Sequence, residues 1–294
     1  MKAPPFDYHR ANSLKEALAL LAAMENAKAL AGGQSLVAML NLRYVFPDHL
    51  IDINPVAELA GIAVADGAIS VGAMTRQRAM EVSSELYAAA PIFREALALV
   101  GHRQTRNRGT FGGSLCHLDP SAELPTLALL HDAVVHIASM RRRRSLEMRD
   151  FIAGYMNPAI EPDELVTSIE LRSWPRDAGY AFLEHARRRG DFAIASAACL
   201  IEADQDRRTI CRIAIAVGGL ADRPIRLAEA ERELKDAQGG PSAFEAAAQA
   251  CRQFEPLADV HAGADYRMAT AVVLVRRALT TAWSRATSPP ASVP

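Results

Sequence analysis

The sequence has few cysteines, and none of them are spaced as metal ligands. Only four occur in 294 residues, and they stand far apart: Cys116, Cys199, Cys211 and Cys251. Zinc and iron–sulfur sites draw on thiolates at short spacing, such as Cys-x-x-Cys, so the pattern argues against both. We expect four reduced, mostly buried thiols. A redox protein with this sequence would carry only an organic cofactor and would exchange electrons with another subunit.

The chain also lacks a strong charge of either sign and any long apolar run. Its formal net charge is −1 and its pI is about 6.7, which gives no reason to expect a nucleic-acid partner. The one basic run, 141–144, is expected at a solvated hairpin tip. No stretch approaches the roughly 18 apolar residues of a membrane helix, and the first residues show no signal-peptide pattern. We therefore expect a cytoplasmic protein.

Two common phosphate-binding sequences are absent, namely G-x-x-x-x-G-K-[ST] and G-x-G-x-x-G. Instead, a double glycine closed by serine occurs twice, at 31–35 (Ala-Gly-Gly-Gln-Ser) and at 110–114 (Thr-Phe-Gly-Gly-Ser). One such segment alone is most simply an ordinary tight turn. Two of them favour a pair of loops whose backbone N–H groups clamp a diphosphate, since glycine reaches positive φ without strain.

These segments resemble those of the FAD-binding medium subunits of molybdenum hydroxylases, the carbon monoxide dehydrogenase and xanthine dehydrogenase family. The first match is 31–36 with 39–43, and the second is 110–114 with 116–120 (Cys-His-Leu-Asp-Pro). A third is 187–195, similar to that family's Arg-rich Gly-Asp-Phe-Ala segment. The resemblance runs from Phe6 to Arg267, which is nearly the whole chain, and three ordered motifs make it specific.

The resemblance implies an α+β fold. It predicts a two-subdomain FAD-binding region, like that of p-cresol methylhydroxylase and vanillyl-alcohol oxidase, followed by a C-terminal α+β domain with a small antiparallel sheet and helices. We expect an N-terminal βαβ subdomain at 1–57, a second FAD-binding subdomain at 58–175, a C-terminal flavoprotein domain at 176–287 and a disordered tail at 288–294.

The residue patterns fill in the elements of this fold. They predict helices at 14–21, 36–43, 79–86, 91–100, 124–130, 228–237, 243–253 and 268–285. They predict strands at 27–30, 50–53, 62–64, 68–71, 134–138, 144–147, 165–171, 179–185, 192–202 and 210–218. The segment 110–120 is expected to be a loop.

The cofactor implied by the resemblance is noncovalent FAD, gripped by one glycine segment on each side. The expected contact residues are Ala29, Leu30, Ala31, Gly32, Gly33, Gln34, Ser35, Leu36, Gly101, Thr110, Phe111, Gly112, Gly113, Ser114, Glu123, Val166, Glu184 and Asp191. Neither segment contains a lysine or arginine. The pyrophosphate would therefore be held by backbone N–H groups and by the hydroxyls of Ser35, Thr110 and Ser114. Ser114 replaces the asparagine usual in the family but keeps a donor and an acceptor.

Glu123 falls where the family places an acidic residue against the adenosine part of FAD. A carboxylate can accept both ribose hydroxyls, whereas the alternative is a solvated acid at a helix start. Asp119 is expected to form a turn before Pro120 rather than to act as a base. His102 and His117 lie near the second segment and are expected to be structural.

Glu184 is the clearest departure from the family, which carries a lysine seven residues before the Gly-Asp-Phe-Ala aspartate. A slip of one residue in the alignment would give that role to His185. A carboxylate close to the flavin ring would oppose the negative charge of reduced flavin and lower its potential. The alternative is that Glu184 points to solvent or pairs with Arg187 or Arg188.

By resemblance, the chain is the FAD-carrying oxidoreductase subunit of a molybdenum-dependent hydroxylase. It would receive electrons from 2Fe-2S clusters in a small subunit, while a large subunit holds the molybdenum cofactor, with two heterotrimers in the complex. No residue of the chain is then expected to be a catalytic acid or base. Two alternatives stay open: a self-contained flavin oxidase or reductase, and a binding module without FAD.

Overall fold

The computed structural model describes residues 2–65 and 67–288, which form three larger sheets, a two-stranded ladder and twelve α-helices. The predicted tail at 288–294 lies outside the described residues except for Ser288. Within the described ranges no helix combines the length and the apolarity of a membrane span.

The first sheet is parallel and has the order β1-β3-β2. Its strands are β1 (Asp7–Arg10), β2 (Ala27–Leu30) and β3 (His49–Asp52), joined by α1 (Leu14–Ala23) and α2 (Leu36–Asn41). Ser13 caps α1 by accepting the Glu16 N–H at 3.1 Å, and Leu18 and Leu21 of that helix belong to the same core cluster as Ile51. The predicted βαβ unit is present, and β1 adds a third strand that the sequence patterns missed.

The second sheet is antiparallel, with the order β4-β5-β10-β6-β7. Its strands are β4 (Ile62–Ala65), β5 (Ala68–Gly72), β6 (Val134–Ala138), β7 (Arg143–Glu147) and β10 (Leu165–Arg172). A small two-stranded ladder joins β8 (Ile152–Gly154) to β9 (Asn157–Pro158). Both predicted hairpins are confirmed. The basic run 141–144 was expected at a solvated tip, but only its first two residues lie there. Arg143 and Arg144 belong to β7, and Arg144 pairs with the buried carboxylate of Glu164 at 2.5 Å.

Short helices cover the second sheet. They are α3 (Gln77–Val82), α4 (Ser84–Ala89), α5 (Ile92–Leu97), α6 (Arg103–Arg108), α7 (Phe111–His117), α8 (Glu123–Leu130) and α9 (Met148–Phe151). The single helix predicted at 79–86 is wrong, because Ser83 takes an extended conformation and caps α4 by accepting the Leu86 N–H. Every residue of α8 is buried, because the helix packs between the third sheet, described next, and the helices α5, α7 and α9.

The third sheet is antiparallel, with the order β11-β12-β13-β14. Its strands are β11 (Gly179–His185), β12 (Ala195–Ala203), β13 (Ile210–Gly218) and β14 (Ile225–Arg226). The helices of this part are α10 (Ala228–Leu234), α11 (Pro241–Ala248) and α12 (Ala264–Thr287). Alternate residues of β12 and β13 fall into different core clusters, one shared with α8 and one with α12. The four-stranded antiparallel sheet with helices confirms the fold predicted for this part.

Candidate functional site

The two glycine segments begin 79 positions apart in the sequence, at Ala31 and Thr110, and lie against each other in the structure. A Cβ atom on Gly32 would overlap the carbonyl oxygen of Arg108 and the Cα of Gly109. A Cβ atom on Gly113 would lie 3.7 Å from the Cβ of Ala31. The first sheet and α7 therefore meet along a line where only glycine leaves room for the opposing backbone.

The first segment is a loop that leads into α2 and leaves its donors free. In the described part of the chain, the backbone N–H groups of Gly32, Gly33, Gln34 and Ser35 have no hydrogen-bond acceptor. Gly33 takes a φ of +74°, the only positive φ among the four glycines of the two segments. Four consecutive free N–H groups at the start of a helix suit an anion such as a pyrophosphate.

The second segment is a helix and not the loop that the sequence suggested. Thr110 caps α7, and its Oγ1 accepts the Gly113 N–H at 3.0 Å. The N–H groups of Phe111 and Gly112 donate to Thr75 and Ala73, and that of Ser114 donates to Thr110. These N–H groups therefore already have acceptors within the chain, and their binding of a diphosphate stays a prediction. The hydroxyls of Thr110 and Ser114 still carry protons to donate.

Gly112 allows close packing of α7 on the backbone that follows β5. A Cβ atom there would lie 2.6 Å from the Cβ of Ala73 and 2.9 Å from its carbonyl oxygen, just past the end of β5. Its neighbour Phe111 is fully buried and meets Phe93 edge to face. The second double glycine thus lets α7 sit directly on the second sheet.

Arg76 ties the two segments together, and sequence reasoning missed it. Its guanidinium donates to the Arg108 carbonyl oxygen at 2.6 Å and to Asn54 Oδ1 at 2.5 Å. Asn54 Nδ2 in turn donates to the Ala31 carbonyl oxygen at 2.8 Å. No sequence motif identifies Arg76, because its position depends on an isolated antiparallel β-bridge to Thr110, which is distant in the sequence. It also brings a cation close to segments that contain none.

A cavity of about 440 Å³ lies beside the hydrogen bonds of Arg76 and Asn54. Its walls include Asn54, Thr75 and Arg76. Its lining includes no residue of either glycine segment. The predicted cofactor contacts lie outside its lining, mainly on the first glycine segment, α7, α8 and β11, and we call the region where these elements meet the seam.

Glu123 and Glu184 come together in that seam. Glu123 opens α8 and is 5% exposed, and Glu184 lies in β11 with its Oε2 buried and without a hydrogen-bond partner among the described residues. Burial and the charge of Glu184 raise the pKa of Glu123 to about 8, and burial raises the pKa of Glu184 to about 7. The alternatives of a solvated Glu123 and of a Glu184 that points to solvent or pairs with Arg187 or Arg188 are wrong.

His185 is excluded from that position by the geometry of the strand. Neighbouring residues of a strand face opposite sides, and His185 lies on the side of α12, where its Nε2 is 2.9 Å from the Tyr266 hydroxyl. Asp119 is a turn former as predicted, because its Oδ1 accepts the Ser121 N–H at 2.8 Å. His117 is the neighbour of that carboxyl, and burial lowers its pKa.

The remaining predicted contacts are spread over the same seam. A Cβ atom on Gly190 would lie 3.0 Å from the Gly101 carbonyl oxygen and the His102 ring, so the loop carrying Asp191 touches the start of α6. Asp191 itself is exposed. Val166 is buried in the core of the second sheet, on the strand beneath α7. A role in cofactor binding stays a prediction for these residues.

A loop with four free N–H groups, the hydroxyls of Thr110 and Ser114 and a buried acidic pair together suit a nucleotide cofactor. Within 2–65 and 67–288, no group of three or more His, Cys, Asp or Glu side chains is placed to hold a metal ion. Two family models match the chain: the FAD binding domain in molybdopterin dehydrogenase over residues 4–174, and the CO dehydrogenase flavoprotein C-terminal domain over 180–282.

Similar proteins agree with these models. The chain is 40% identical to the 6-hydroxypseudooxynicotine dehydrogenase complex subunit alpha of Paenarthrobacter nicotinovorans, over 97% of each chain. It is 34% identical to the carbon monoxide dehydrogenase medium chain of Hydrogenophaga pseudoflava, over 96% of this chain and 98% of the relative. The crystal structure of quinoline 2-oxidoreductase from Pseudomonas putida 86 superposes with a TM-score of 0.93 at 33% identity, covering 98% of this chain and all of the other.

The chain belongs to the family of FAD-binding medium subunits of molybdenum hydroxylases. It is an oxidoreductase subunit, and FAD is its cofactor. The free N–H groups of the first segment and the unpartnered Oε2 of Glu184 fit a ligand that carries both a pyrophosphate and hydroxyl groups.

Replacing Gly32 by alanine should loosen the seam. The added methyl would collide with the backbone of Arg108 and Gly109, and overpacking of this kind costs about 1–3 kcal/mol. FAD retention should fall at least tenfold, as judged by the flavin absorbance of the purified chain. Gly154→Ala is the matched control, because its Cβ would meet nothing closer than 4.0 Å. Full flavin occupancy in Gly32→Ala would contradict the close approach.

Replacing Arg76 by glutamine should weaken FAD binding while the fold persists. The change removes two charge-assisted hydrogen bonds, each of which contributes about 1.5–3 kcal/mol. Part of this free energy holds the two glycine segments in position. We expect a Kd increased by roughly 10- to 100-fold in a fluorescence titration of the flavin-free chain. Arg78→Gln is the control, since the one partner of that guanidinium among the described residues is Glu81. Equal Kd values for the two variants would mean that Arg76 does not position the segments.

Proposed function

We propose that this chain is the electron-transfer subunit of a molybdenum-dependent hydroxylase or dehydrogenase. It takes electrons from iron–sulfur clusters of a small partner subunit and passes them to an external acceptor. The observation that carries the proposal is an FAD-binding fold whose described residues offer no metal site and whose four cysteines are all free. Such a chain supplies one redox cofactor and needs partners for the rest of the reaction.

The residues of the chain bind and orient the cofactor. The N–H groups of residues 32–35 bind the pyrophosphate, together with the hydroxyls of Thr110 and Ser114. Arg76 adds a nearby positive charge. Glu123 accepts hydrogen bonds from ribose hydroxyls. Bound FAD supplies the site where electrons are stored between donor and acceptor.

The partners are a large subunit with the molybdenum cofactor and a small 2Fe-2S subunit, in a dimer of heterotrimers. Two relatives are named as a complex subunit and as a medium chain, which supports the presence of partner subunits. An exposed apolar surface made of Val37, Leu42, Tyr44 and Phe46 supports it too, because Tyr44 is 74% exposed and α2 begins directly after the first glycine segment. The absence of a disulfide among the four cysteines fits a cytoplasmic complex.

The purified single chain should contain FAD but no iron, and substrates of the complete enzyme should not reduce it. Addition of the large and small subunits should restore reduction by substrate, followed as bleaching of the flavin. Direct reduction with dithionite is the control, since it shows that the flavin is accessible. Stoichiometric iron in the single chain, or its reduction by an organic substrate without partners, would favour a self-contained enzyme.

A further inference from the structure

A group of buried polar side chains lies where α8 packs on the third sheet. Glu184, Ser196 and Gly218 are neighbours across β11, β12 and β13 in the register of the sheet. A Cβ atom on Gly218 would lie 2.5 Å from Thr126 Oγ1 and 2.7 Å from Ser196 Oγ, so the hydroxyls of α8 and β12 lie around that glycine. Glu123 enters the group from the first turn of α8.

Two atoms of this group have no hydrogen-bond partner among the described residues, namely Glu184 Oε2 and Ser196 Oγ. Buried polar atoms are rarely left in this state, so each needs a proton or a ligand. The Thr126 hydroxyl does not serve Glu184, because it donates to the Ala122 carbonyl oxygen at 3.1 Å.

Among residues 2–65 and 67–288, no cation acts on the two carboxyl groups. The groups that act on Glu123 are Glu184 and Asp119, and the one that acts on Glu184 is Glu123. His117 acts on Asp119, and Arg187 bonds His261. Two ionised carboxylates within hydrogen-bond reach, buried and without a counter-charge, would repel each other strongly.

We infer that Glu123 and Glu184 share one proton and together form a single-charge carboxyl pair that faces the FAD hydroxyls. The Glu123 hydroxyl donates to a carboxylate oxygen of Glu184, so the pair carries one negative charge at the cofactor site. The pair itself follows from the chain alone. Only the contact with FAD rests on the proposed function.

The shared proton makes FAD binding depend on pH. Once the pair loses its proton, two negative charges lie next to a cofactor that already carries two on its pyrophosphate. FAD should therefore bind more weakly above about pH 7–8, by at most about tenfold per pH unit, since one proton is involved.

The stability of the flavin-free chain should change in the same sense. A free glutamate titrates near 4.5, whereas the pair keeps its proton to higher pH, so the folded chain binds more protons than the unfolded chain between these values. The free energy of unfolding contributed by the pair is therefore greatest below about pH 4.5 and declines up to about pH 8.

The direct test is carbon-13 NMR of the flavin-free full chain labelled at the glutamate carboxyl carbons. Two carboxyl signals should titrate together above pH 6 in the wild type. In Glu184→Gln or Glu123→Gln, the new amide donates to the remaining carboxylate, so its titration should move down by more than one pH unit. Glu245→Gln is the control, because Glu245 is exposed and pairs with Arg276.

Other outcomes are decisive as well. Two signals that both titrate near pH 4–5, or one that is raised regardless of its neighbour, would overturn the shared proton. A second readout guards against misfolding: the fall in Tm between pH 5 and pH 8 should be smaller in either glutamine variant than in the wild type. A Kd for FAD that does not change from pH 6 to pH 9 would overturn the contact with FAD alone. Complete failure to bind FAD would refute the proposed function and leave the carboxyl pair standing.

Discussion

The close approach of Gly32 to the backbone of Arg108 and Gly109 is the constraint on which the site depends. It lets the parallel sheet at the N-terminus meet α7 with no side chain between them. Arg76 fixes this approach, because one guanidinium bonds the Arg108 carbonyl on one side and Asn54 on the other. Since Asn54 holds the carbonyl of Ala31, the N–H groups of the first segment are aimed before any ligand arrives. Such preorganisation lowers the cost of ordering a loop on binding.

Two segments that look alike in the sequence have different physical tasks. Both contain a double glycine and a serine, yet the first has four free N–H groups and the second has none among 111–114. The difference comes from the surroundings, because the second segment follows a threonine cap and lies on the carbonyl groups of Ala73 and Thr75. A local pattern cannot report these partners, which lie more than 30 residues upstream. The sequence therefore predicted that both segments are present, but not that only the first keeps its N–H groups free.

Other features of the fold were likewise predicted where the signal was local and missed where it depended on distant residues. Strands such as β13 were predicted well, since their length and β-branched content are local properties. Polar and apolar residues alternate only partly in β12 and β13, because α8 covers one face of the sheet and α12 covers the other. Resemblance supplied the positions of Glu123 and Glu184, but not their contact. Arg76 had no local signal, because its role depends on topology.

The carboxyl pair explains why the C-terminal domain belongs to the cofactor site although it contains neither glycine segment. Glu184 reaches from β11 to the first turn of α8, and the Gly190 loop touches Gly101, so the third sheet closes the seam at two points. Arg267, fully buried in α12, donates to the carbonyl oxygens of Ile194 and Gly219 and so holds the strand ends beside those points. A buried charge with so many fixed acceptors is costly to move. The position of the acidic pair is therefore set by the core of the C-terminal domain, and the two domains must dock correctly before the site is complete.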